Sequence, residues 1–162
     1  MFNLNWFSVA SPVPAFPGEF LITAGVYASG GIEDLLDSDN LDLSARRNNA
    51  DISSRVWIEL KSQSALALPA EFSITVEGSV FARTQVNQTV ELWNYDVSDW
   101  EAVDTRAANR FSDTTVTIEM AGDPSRFVEP GTRGIEARLS YESINQRQRF
   151  TANVDQVFWS IR

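Results

Sequence analysis

Five oxygen-bearing side chains crowd into one short stretch of the chain: Asp34, Asp37, Asp39, Asn40 and Asp42. Carboxylates and amides at that density are the ligands a hard cation such as calcium takes. The same residue types also close turns by bonding to nearby backbone, and the stretch lacks the spacing and the glycine of an EF-hand loop. Aromatic residues form a second group. Trp57 alternates against Val56, Ile58 and Leu60, Trp93 and Tyr95 alternate against Val90 and Leu92, and Trp100 follows one turn later. An exposed aromatic ring stacks on the apolar face of a sugar, with Asn, Asp and Arg around it taking the hydroxyls. The competing role for such residues is packing, against another sheet or beneath a covering segment.

Catalysis finds little support. Glycoside hydrolysis needs two carboxylates at a set separation, and Glu77, Glu91, Asp104 and Glu119 occur singly on separate runs. The chain has neither His nor Cys, which removes Ser-His triads, imidazole bases, thiol nucleophiles and thiolate zinc sites. No Gly-rich phosphate loop and no GxSxG turn is present. The expectation is a protein that is not an enzyme.

The net charge of −9 argues against nucleic acid and anionic membranes as partners. No apolar run is long enough for membrane insertion as a helix, and residues 1–10 lack the basic start and continuous apolar stretch of a signal peptide. Basic residues are nearly all Arg, with Lys61 the single lysine.

The elements that must hold these groups are strands. Thr89–Tyr95 and Trp100–Arg106 alternate apolar and polar residues on either side of a short polar turn, which predicts a β-hairpin with aromatics paired across it. Period-two runs recur at Arg55–Lys61, Glu71–Phe81, Thr114–Met120, Ile135–Tyr141 and Phe150–Arg162, with Gly78 a candidate bulge. Only the stretch IEDLLDSDN looks helical, for a single turn. Short strands at regular spacing predict an all-β fold, an antiparallel two-sheet β-sandwich over residues 19–162. Residues 1–18 read as an extended N-terminal arm carrying Phe2, Leu4 and Trp6, followed by a stiff link with Pro12, Pro14 and Pro17. The arm either adds an edge strand to its own domain or inserts into a neighbouring copy by strand addition.

The order of VWIEL, FSITVEGSV, QTVELWNYDVSDWEAVDTR, RFVEPGTRGIEARL and VDQVFWSIR resembles a jelly-roll module of the galactose-binding-like, carbohydrate-binding-module-like class. Such modules are accessory domains of secreted bacterial proteins. The turn of the aromatic hairpin holds Ser98 where those modules usually carry glycine. The resemblance implies a jelly roll, an extracellular or cell-surface location and, in some members, sugar binding. It also implies a structural calcium between an early loop and an acid in the last strand, here Asp37, Asp39, Asn40 and Asp155.

The expected function is therefore a non-catalytic interaction module. The leading reading is a structural or self-assembling surface protein that pairs with itself, or with a larger surface assembly, through Phe2, Leu4 and Trp6. The alternative is a polysaccharide-binding accessory module using Trp57, Trp93, Tyr95 and Trp100.

Overall fold

The computed structural model describes residues 11–48, 55–145 and 148–162. The arm residues Phe2, Leu4 and Trp6 lie outside them. Eleven strands are formed within the described residues: β1 (Val13–Ala15), β2 (Glu19–Ala24), β3 (Val26–Ser29), β4 (Leu43–Arg46), β5 (Arg55–Gln63), β6 (Phe72–Ala82), β7 (Val86–Asn94), β8 (Asp99–Ala107), β9 (Thr114–Glu119), β10 (Gly134–Ser143) and β11 (Phe150–Ile161). They make two antiparallel sheets. One runs β3-β4-β11-β6-β9, with β1 also on β11, and the other runs β2-β5-β10-β7-β8. The fold is the all-β sandwich expected from the period-two runs. Two single 3-10 turns, Glu33–Leu35 and Pro124–Phe127, are the helical elements among the described residues.

Alternation decides which side chains meet between the sheets. Val56, Ile58 and Leu60 are fully buried from one sheet, and Ile74, Val157 and Trp159 close the core from the other. Gln88 Nε2 donates to the buried Tyr141 hydroxyl at 2.8 Å, so each of these two polar groups has a partner.

The run FLITAGVYA reads as one strand but serves both sheets. It breaks at Gly25, where φ is +95° and an added Cβ would stand 2.9 Å from the Arg46 carbonyl. That conformation costs glycine little, and it lets β2 pair with β5 and β3 pair with β4. Gly78 has a different role from the one its strand position suggests. The register slip lies opposite it, between Val154 and Gln156 of β11, and a Cβ on Gly78 would meet the Asn153 carbonyl at 2.3 Å. The slip places Val154 and Asp155 consecutively in buried positions.

Within the segment read as a link, Val13–Ala15 pairs with Ile161–Trp159 of the last strand, and Phe16 packs against Phe158 with ring centres 5.9 Å apart. The proline-bearing stretch is thus part of the sheet. Leu41, placed by alternation with Leu43, is 58% exposed because β4 begins only at Leu43. No helix among the described residues is long and apolar enough to cross a membrane.

Candidate functional site

The five-stranded sheet turns one face to its partner sheet and the other outward. On the outward face the register sets up parallel rows. Trp57 on β5 lies opposite Ser140 on β10, which lies opposite Thr89 on β7. One row further, Glu59, Arg138 and Glu91 stand side by side. Beyond them Trp93 on β7 pairs with Trp100 on β8.

Arg138 joins these rows. Its guanidinium carbon sits 4.5 Å from the ring centre of Trp57 and 4.6 Å from that of Trp100, which puts a cation between two indoles. Nε and Nη2 donate to the two Glu91 carboxylate oxygens at 2.6 and 2.7 Å, a two-pronged pair. Trp93 and Trp100 meet edge to face, ring centres 5.3 Å apart, the arrangement favoured by their quadrupoles. Around this cluster lie hydroxyls and carboxylates able to bind sugar hydroxyls. The Thr89 and Thr105 hydroxyls share a hydrogen bond at 3.1 Å, and Thr23 donates to Glu59 at 3.0 Å.

Local chemistry fixes Trp100. The hairpin turn requires a left-handed residue, and Ser98 takes it with φ +53°. The base of β8 is fastened by Arg126, whose Nε and Nη2 donate to Glu101 at 3.1 and 2.8 Å while Asn94 donates to the same carboxylate at 2.8 Å. These hydrogen bonds hold the Glu101 carboxyl below its ordinary pKa range.

The structure therefore gathers Trp57, Trp93 and Trp100 on one outward face, each half-buried, with none between the sheets. Tyr95 departs from them. It follows Trp93 at the end of the face, where it lines a shallow pocket with Lys61, Glu129 and Glu136. Burial first, then Glu136 and Glu129, push its phenol pKa upward. Sequence alone did not single out Arg138, and it weighed Glu91 only as an acid for hydrolysis, since period-two patterning shows which face a side chain takes but not what it stacks on.

The acidic stretch has a different arrangement from the one expected. Asp37, Asp39 and Asn40 are exposed, and the Asp39 side chain accepts from the Leu41 backbone at 3.0 Å, which is turn closure. Asp155 is 1% exposed. It accepts hydrogen bonds from the backbone at Asp39 and Asn40, so these two meet it through main chain. The carboxylates that do approach are Glu77, Asp113 and Asp42. Desolvation, then Asp113, Asp155 and Asp34, raise the Asp42 pKa to about 6, and desolvation likewise raises Asp155. One oxygen each of Asp42, Asp113 and Asp155 is buried without a hydrogen-bond partner. Orphaned carboxylate oxygens suit a hard cation in donor chemistry. They are not gathered into a ready cage: among the described residues no three acidic side chains converge as a metal-holding group.

Of the acids considered for hydrolysis, Glu91 is held by Arg138 and Asp104 by Arg106 at 2.5 Å.

No protein-family profile matches the chain, and no curated protein matches it by sequence. Solved structures do match it by shape. The carbohydrate-binding module TmCBM61 in complex with β-1,4-galactotriose is 8% identical, with 91% of each chain covered and a TM-score of 0.50. The CBM22-1–GH10 modules of endo-1,4-β-D-xylanase 10B from Clostridium thermocellum, complexed with xylohexaose, are 10% identical. That match covers 91% of this chain and 25% of the other, with a TM-score of 0.54. The chain has the jelly-roll β-sandwich fold of carbohydrate-binding modules.

Proposed function

We propose that this chain is a non-catalytic polysaccharide-binding module that holds a sugar chain across the outward face of its five-stranded sheet. The observation that carries this reading is the Trp57–Arg138–Trp100 stack, with Trp93 beside it. Four large side chains on an outward face, held rigid by Glu91 and by the paired tryptophans, form a preorganised platform. The sugar would lie along indole surface that Arg138 leaves open, with its hydroxyls bonded to Glu59, Thr89 and Thr105. The shared fold with modules captured holding galactotriose and xylohexaose supports this reading as fold-level analogy, and the aromatic face supplies the site. An extracellular setting, where polysaccharide is met, accompanies it.

The test is affinity electrophoresis through a panel of neutral polysaccharides that includes β-1,4-galactan and xylan. Retardation by at least one, lost in Trp100→Ala while the melting profile stays cooperative, is the expected result. Migration unchanged by every polysaccharide would overturn the proposal. The self-assembly reading rests on Phe2, Leu4 and Trp6, which lie outside the described residues.

A further inference from the structure

The six-stranded sheet, the one that does not carry the tryptophan stack, has a second feature. At one end of it a pocket is lined by Arg46, Arg47, Arg83 and Arg149, with Phe81 and Thr151 between them and no acidic residue among the described residues of its wall. The register explains the gathering. Arg46 on β4 pairs with Thr151 on β11, which pairs with Phe81 on β6, so the three stand in one row on the sheet. Arg83 and Arg149 flank the ends of β6 and β11 beside that row. Arg110 joins from a further loop, donating from Nη1 to the Arg83 carbonyl at 3.3 Å.

This concentration runs against the composition. Acids outnumber bases by 22 to 13 in the chain. Arg55, Arg106, Arg126, Arg138 and Arg162 each pair with a carboxylate. Arg46, Arg83, Arg110 and Arg149 pair with none among the described residues. Clustered guanidinium groups without carboxylates repel one another and focus a local positive field that an anion relieves.

Phe81 lines the same pocket, and Phe111 stands against it from outside. Phe81 is 67% exposed and Phe111 65% exposed, and they meet edge to face with ring centres 5.5 Å apart. Phe111 is held in the left-handed region at φ +72°, with its N–H donating to the Val80 carbonyl at 3.1 Å. A bulky residue in that region stores backbone strain, and here the strain displays an apolar ring to water.

We propose that this pocket is a second binding site, for a carboxylate-bearing sugar unit of an acidic polysaccharide. Arg46, Arg83 and Arg149 take the carboxylate as charge-assisted, two-pronged partners. The exposed Phe81 ring, braced by Phe111, takes the apolar face of the same pyranose ring. A simple anion would need the arginines alone, and the pairing of fork and ring is what selects a uronic acid.

The experiment measures retention of the full chain on immobilised polygalacturonate, with poly-glutamate as the anionic control and inorganic sulfate as competitor. Because the whole chain is anionic, retention on a polyanion requires a local cationic site and not bulk ion exchange. Polygalacturonate should retain the chain. Arg83→Gln, Arg149→Gln and Phe81→Ala should each weaken retention roughly tenfold, and Trp57→Ala should leave it unchanged, which separates this site from the sheet face. Phe111→Gly should raise the melting temperature while weakening retention. No retention of the parent chain overturns the proposal. Equal retention on poly-glutamate, with Phe81→Ala silent, overturns the sugar and leaves a general anion site.

Discussion

Arg138 and Glu91 face each other across β10 and β7 as a two-pronged ion pair whose side chains are 14% and 15% exposed. The pair holds the guanidinium between Trp57 and Trp100, so one ion pair sets the spacing of two indoles on different strands. Arg138→Lys keeps the charge but loses both the fork and the planar stack. It should destabilise the fold by about 2 kcal/mol in denaturant titration, because Glu91 is left half-satisfied in a poorly hydrated place. Neutral polysaccharide binding should fall with it. Full stability in the lysine variant would show that the stack is incidental.

The edge-to-face contact between Trp93 and Trp100 should be measurable as a coupling. A double-mutant cycle with Trp93→Ala and Trp100→Ala is expected to return about 1 kcal/mol of interaction beyond the single losses. Strict additivity would mean that the rings support β7 and β8 separately.

Ser98 occupies a left-handed position that glycine adopts without penalty. Ser98→Gly should therefore raise stability by about 0.5–1 kcal/mol and leave sugar binding intact, since no sugar-facing side chain changes. A loss of stability would mean that the added freedom of the unfolded glycine outweighs the relieved strain.

Asp42, desolvated and faced by the carboxylates of Asp113, Asp155 and Asp34, makes stability depend on pH. An unfolded aspartate titrates near about 3.9, whereas folding raises Asp42 to about 6. The folded state thus binds protons more tightly, and unfolding releases them. In the absence of divalent cations, stability from this group is fully present below pH about 4, declines as pH rises to about 6 and is level above. Partial exposure of Asp42 limits the loss to the order of 2 kcal/mol. Asp42→Asn should flatten the slope in urea titrations between those pH values. Calcium that binds there would flatten it too, and a slope unmoved by calcium would leave protons as what neutralises the cluster.

Much of the sandwich was legible in the sequence because strand alternation is a local signal. Val56, Ile58 and Leu60 went inward and Trp57 outward as their period requires, and the hairpin formed where Trp93 and Trp100 predicted it. Three things were not local. FLITAGVYA is continuous in pattern, and only the clash a Cβ would make at Gly25 reveals that it changes sheets. Asp155 was readable as a buried acid, but its neighbour Asp113 arrives from a loop 42 residues away, through sheet packing that no spacing rule encodes. Arg138 alternates like any outward strand residue. Its place between two tryptophans follows from the β5-β10-β7-β8 order, which sequence patterning leaves open.

The short strand β1 has a consequence for how copies of this protein behave in a crowd. On β11, β4 covers Thr151–Val154, and β1 continues along Trp159–Ile161. The middle residue of that cover is Pro14, paired with Ser160, and a proline has no N–H to offer a further strand. Among the described residues no strand pairs on the far side of this segment, as at edge strands that resist fibril growth. Cutting the chain within residues 11–17 would bare a strongly apolar strand end and turn a self-limiting sheet into a template for aggregation.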